Sequence, residues 1–113
     1  MPAAQRPPLE PRQAADRLTG MSKDVRVAVL LEAGRPVEDS DPELAEAAAE
    51  LLDAADAAVA GDAPAELELQ LREGAVYAVR QGAFALAAVA GRGSLSSLVR
   101  WDMRAVLMEL GAS

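Results

Sequence analysis

From residue 66 to residue 90 the chain alternates and then saturates with apolar positions, punctuated twice by glycine. Leu67, Leu69 and Leu71 alternate with Glu66, Glu68, Gln70 and Arg72, the period of a half-buried strand. Ala75–Arg80 and Ala83–Ala90 are nearly all apolar, as inner strands are. The short turns at Glu73-Gly74 and Gln81-Gly82 make an antiparallel meander of the three, with the first at the sheet edge. Upstream, Val25–Leu31 is a β-branched strand in which Val25, Val27, Val29 and Leu31 share one face. On its other face Ala28 and Leu30 follow Arg26, so this strand is covered on both sides. Ala33-Gly34 turns the chain into a short second strand, Arg35–Ser40, whose Pro36 and dense charge suit a sheet edge.

Helices frame these strands. Residues 12–21 predict a short helix with Ala14, Ala15 and Leu18 inward, stopped by Gly20. Asp41-Pro42 opens a second helix, with Asp41 as N-cap and Glu43 in the first turn. It runs to about Ala60 and ends at Gly61–Pro64, a length of roughly 28 Å. Glu43, Glu46, Glu50, Asp53 and Asp56 line one side. Leu44, Ala48, Leu51, Leu52, Ala55 and Val59 line another, and further alanines complete a small-residue surface. Ser94 is placed to cap a last helix with Leu95, Leu98, Val99, Met103, Val106, Leu107 and Leu110 inward, closed by Gly111. Trp101 and Met103 read as core or interface fillers. Four prolines in residues 1–11 predict a disordered N-terminus, leaving residues 12–113 as one domain.

The whole is an α+β pattern, α-β-β-α-β-β-β-α, with a five-stranded antiparallel sheet. Composition narrows what it does. The 113 residues hold no cysteine and no histidine. That removes thiolate metal sites, disulfides, the usual general base and every Ser/His or Cys/His nucleophile pair. Phe84, Tyr77 and Trp101 are the only rings, so the core is built from Leu, Val, Ala and Met. Such a core is thin, which favours association with a second subunit. No apolar run approaches the ~20 residues of a membrane helix, and the N-terminus is no signal peptide. A cytoplasmic protein is the expectation.

Net charge is −7, and eleven of the 18 acidic residues fall between Arg35 and Arg72, where no basic residue occurs. An acidic middle repels phosphate backbones, so nucleic acid is not an expected partner. The acidic row on the long helix diverges along its axis, and metal ligands must converge. Gly91–Ser94 before a helix has neither the length nor the lysine of a nucleotide-binding loop; a strand-to-helix turn is the ordinary account. No catalytic residue, cofactor or metal is expected. Arg100 and Arg104, four apart on the last helix, form a modest basic contact face.

Three stretches, Leu18–Val37, Glu73–Ala90 and Leu98–Leu110, give the chain a pattern that resembles the roadblock / dynein light chain family. The resemblance runs from about Arg12 to Gly111. It implies a sheet with the middle helix on one face and the terminal helices on the other. It also implies a dimer in which third strands pair edge to edge and middle helices pack together, through Leu44, Ala48, Leu51, Ala55, Leu67, Leu69 and Leu71. Bacterial members commonly regulate or scaffold Ras-like GTPases without an active site of their own. The expectation is therefore a non-enzymatic homodimer whose further partner is a Ras-like small GTPase, with Arg100 and Arg104 as a partner surface. A ligand-sensing module and a purely structural dimerisation domain are the alternatives.

Overall fold

The computed structural model describes residues 9–37, 42–58 (backbone only for 55–58) and 65–110. A 3-10 turn, Pro11–Gln13, leads into α1 (Ala14–Met21), followed by β1 (Val25–Glu32), β2 (Arg35–Pro36), α2 (Pro42–Ala58), β3 (Glu66–Leu71), β4 (Gly74–Gln81), β5 (Phe84–Gly91) and α3 (Ser96–Glu109). The five strands form one sheet in the order β2-β1-β5-β4-β3, antiparallel throughout. The expected α+β architecture and edge position of β3 are both present.

Cross-strand register sorts the side chains into rows. On one face run Glu66–Val79–Leu86–Leu30, Glu68–Tyr77–Ala88–Ala28 and Gln70–Ala75–Ala90–Val25. Their inner members join Ala14 and Leu18 of α1 and Val99, Met103, Val106 and Leu107 of α3 in the larger core. On the other face α2 packs Ala45, Ala48 and Leu52 against Val29, Leu31, Ala78 and Ala87. Arg80 ties β4 to that helix by donating to the Leu52 carbonyl oxygen at 3.1 Å. Tyr77 is buried, and its hydroxyl lies 3.1 Å from the Ser94 hydroxyl.

Several local expectations are corrected. Val25 does not share a face with Val27, Val29 and Leu31. A bulge between Val25 and Val27 turns it onto the Ala28 and Leu30 side, where it enters the α1/α3 core. α1 continues through Gly20 to Met21 and ends where Ser22 turns extended. β2 is only two residues long; Val37 donates back to Leu30, and residues 38–41, with the expected Asp41 cap, lie outside the described residues. So do the end of the long helix beyond Ala58, including Val59 and Ala60, and Gly111. Ser94 does not cap α3, since its hydroxyl faces Tyr77 and the N-cap residue is Leu95. Leu9 donates to the Glu109 carbonyl oxygen at 2.7 Å, and Glu10 and Gln13 form a reciprocal cap, so residues 9–11 are tied down; residues 1–8 lie outside the described residues.

Gly74 is a strand residue, and the turn itself is Arg72-Glu73. A Cβ there would sit 2.1 Å from the Ala90 carbonyl oxygen, in backbone that cannot move aside. Gly74→Ala is expected to cost about 2–3 kcal/mol by forcing β4 and β5 apart, whereas Gly20→Ala, with open space around it, is expected to stabilise α1 slightly. Urea denaturation of both variants checks the contrast.

Candidate protein-protein interface

Among the described residues β3 pairs with β4 on one side only, so its other edge offers backbone donors and acceptors as a template for another strand. Its two faces are treated differently. Glu66 points to the α3 face, where Arg104 and Arg100 both reach its carboxylate, Arg100 at 3.5 Å. Gln70 donates to Glu68 beside it. On the α2 face Leu67 packs against the smaller core, but Leu69 is 45% and Leu71 50% exposed.

The reason lies in how much of the sheet α2 covers. It covers the row Leu67–Ala78–Ala87–Val29 and the end marked by Leu31 and Ala85. The next row, Leu69–Val76–Val89–Val27, crosses four strands, and its three valines are only half-buried. Beyond it come Leu71, Gly74 and Gly91, with the Arg26 guanidinium lying over Gly91. The result is an apolar half-face continuous with an open strand edge. Its far end carries the cations Arg26 and Arg72, both exposed.

The sequence-predicted interface residues fall into three groups. Leu69 and Leu71 stand open at the edge. Leu44, Leu51 and Leu67 are half-buried, Leu44 and Leu67 against the protomer's own core. Ala48 is 2% exposed and turned onto its own sheet; the Ala55 side chain lies outside those described. Arg100 and Arg104 form no free basic face, because Glu66 of β3 pairs with both. They brace the edge strand against α3 instead. Glu66→Ala is expected to lower stability by about 0.5–1 kcal/mol, the range of part-exposed pairs. The loss should shrink in high salt, which urea denaturation with and without NaCl checks.

Sequence reasoning missed Val27, Val76 and Val89. Their half-exposure follows from where α2 crosses the sheet, which no strand pattern encodes.

Two further concavities are present. Gly91–Ser94, with Arg72 and Arg92, lines a cleft of about 210 Å³, below the ~300–1,000 Å³ of small-molecule sites. A second, open groove of about 520 Å³ lies between Glu10–Arg12 and Pro36–Val37. Among the described residues no three acidic side chains converge as metal ligands, and no helix is long and apolar enough to cross a membrane. Arg17, paired with Glu109 at 2.9 Å, is held more firmly protonated by that hydrogen bond.

The chain matches no established family profile and no curated protein by sequence. Its three-dimensional likeness is clear. A Roadblock/LC7 domain from Streptomyces avermitilis superimposes with a TM-score of 0.70 at 17% identity, covering 91% of this chain and 96% of that one. MglB of Myxococcus xanthus gives 0.70 at 18% identity, over 86% and 88%. The gliding protein MglB of Thermus thermophilus gives 0.70 at 15% identity, over 97% and 94%. From β2-β1-β5-β4-β3 with α2 on one face and α1 and α3 on the other, this chain has the Roadblock/LC7 fold.

Proposed function

We propose that the chain is a homodimeric binding platform for a Ras-like small GTPase. The observation that carries the dimer is the open β3 edge continuous with the half-buried row Leu69–Val76–Val89–Val27. Two β3 strands pairing antiparallel about a two-fold axis bring the uncovered half of each sheet beside the α2 of the other protomer. The apolar row is then buried by a helix, and the two sheets become one of ten strands. Charge supports the same arrangement. Exposed Glu43, Glu46, Glu50 and Asp53 give α2 a charge opposite to that of Arg26 and Arg72 at the far end of the sheet.

The GTPase reading rests on the resemblance to roadblock proteins and on the likeness to MglB, a gliding protein in Thermus thermophilus. The dimer offers a broad surface, and the chain offers no histidine or cysteine for chemistry of its own. Its role is to hold the GTPase and bias its nucleotide state.

The test is capture from source-cell lysate loaded with GDP or a non-hydrolysable GTP analogue, read by mass spectrometry. Recovery of a Ras-like GTPase, stronger in one nucleotide state, is the expected result. Recovery of the protein alone in both states contradicts the GTPase reading and leaves the dimer to be judged separately.

A further inference from the structure

The stripe predicted to face inward on α3 is two stripes. Val99, Met103, Val106 and Leu107 are buried, as expected. Leu95 and Leu98 are not: they are 60% and 58% exposed, and with Trp101 at 67% and Met108 at 70% they form an outward ridge. At 100° per residue, Leu98, Trp101, Ala105 and Met108 fall within about 80° of arc, on the side of α3 opposite the core. An isolated exposed leucine needs no account, but a row of this size does.

The spacing of the ridge specifies what fits it. Positions 98, 101, 105 and 108 are separated by three, four and three residues, the a and d positions of two heptads. Asp102 and Glu109 then occupy e positions, and Ser97 and Arg104 occupy g positions. We infer that this ridge is a helix-pairing seam between two copies of the chain, with their α3 helices parallel. In a parallel pair each g residue meets the e residue five positions on in the other helix, which brings Arg104 to Glu109 of the second copy, twice over. An antiparallel pair brings Arg104 to Arg104 and Asp102 or Glu109 to acids, so the charge pattern selects the parallel form. Within its own protomer Arg104 already meets Glu66, and Glu109 meets Arg17, so the contact between copies joins two existing pairs into one alternating row, Arg17–Glu109–Arg104–Glu66.

The ridge offers on the order of 500 Å² of apolar surface, at the upper end of what a monomer's largest patch exposes. Doubled, that is about 1,000 Å², the lower bound for a specific contact, so the association is weak. It lies on the opposite face of the sheet from α2 and does not depend on the β3 pairing.

Trp101 is the chain's one tryptophan, so intrinsic emission reports this ridge alone. The experiment uses Leu69→Asp protein, in which the β3 edge carries a charge, so that only α3 association is read. As concentration rises from about 1 to about 200 µM, emission is expected to shift to the blue and iodide quenching to fall. Leu98→Glu, added to the same protein, is expected to abolish both changes. Ala105→Cys, in a chain with no other cysteine, is expected to yield a covalent dimer under mild oxidation, because a parallel pair sets position 105 against itself. Emission that stays that of a water-exposed indole at every concentration overturns the seam and leaves the ridge for a different protein's helix. A blue shift that survives Leu98→Glu overturns it as well. Failure of Ala105→Cys to cross-link overturns the parallel orientation.

Discussion

Leu69→Asp is expected to turn a two-chain particle into a single chain at about 1 µM, where the weak α3 association is not populated, with the fold intact. Leu69 is 45% exposed in the protomer and stands between the strand edge and the half-buried Val76. In a lone protomer an aspartate there sits in water and costs little. Within a β3–β3 pair it becomes a carboxylate enclosed by valines and the other copy's α2, an uncompensated charge costing roughly 3–5 kcal/mol. That is more than a hundredfold in dissociation constant. Sedimentation equilibrium reads the mass and circular dichroism the fold. A variant that keeps two chains with native spectra at that concentration, and still does so when Leu98→Glu is added, contradicts the edge-paired dimer.

Leu86→Ala is expected to have the largest effect on the fold itself, about 3 kcal/mol and roughly 15 °C in melting temperature. Leu86 is fully buried on β5, the middle strand, between Val79 and Leu30 in register and under the α1 and α3 side chains. Truncating it leaves a cavity enclosed by two helices and three strands. For a domain of this size, whose stability is of the order of 10 kcal/mol, that is a large share. Leu71→Ala makes the comparison informative. Leu71 is 50% exposed, so in Leu69→Asp protein its truncation is expected to cost well under 1 kcal/mol. Thermal unfolding of both variants in that background separates a core leucine from an interface leucine. Equal losses would mean that the β3 leucines belong to the protomer's own core.

What the chain announces and what it conceals divide along a physical line. The three meander strands, the edge position of β3 and the long α2 were legible because each is written in local periodicity. Leu67, Leu69 and Leu71 alternate without interruption, and alternation needs no tertiary information. Val25 was misplaced because a bulge reverses facing without leaving a mark in the pattern. Gly74 read as a turn glycine, whereas its constraint is the Ala90 carbonyl oxygen on the next strand, a long-range fact. Gly20 read as a helix stop, but packing of Ala14 and Leu18 carries α1 past it. On α3 an apolar residue lies on nearly every side, so periodicity alone could not separate the buried stripe from the outward one. The half-buried valine row is the same kind of omission. Its exposure is set by where α2 crosses, and only the assembled sheet shows that.

The central claim, that β3 is an interface strand, is tested most directly by amide hydrogen exchange across residues 66–71. In native protein at high concentration the outward-facing amides of β3 are expected to be protected, because a second β3 accepts from them. In Leu69→Asp protein at the same concentration those amides are expected to exchange at the rate of an open edge, while β4 and β5 stay protected in both. Equal, fast exchange of β3 in the two proteins would contradict the account.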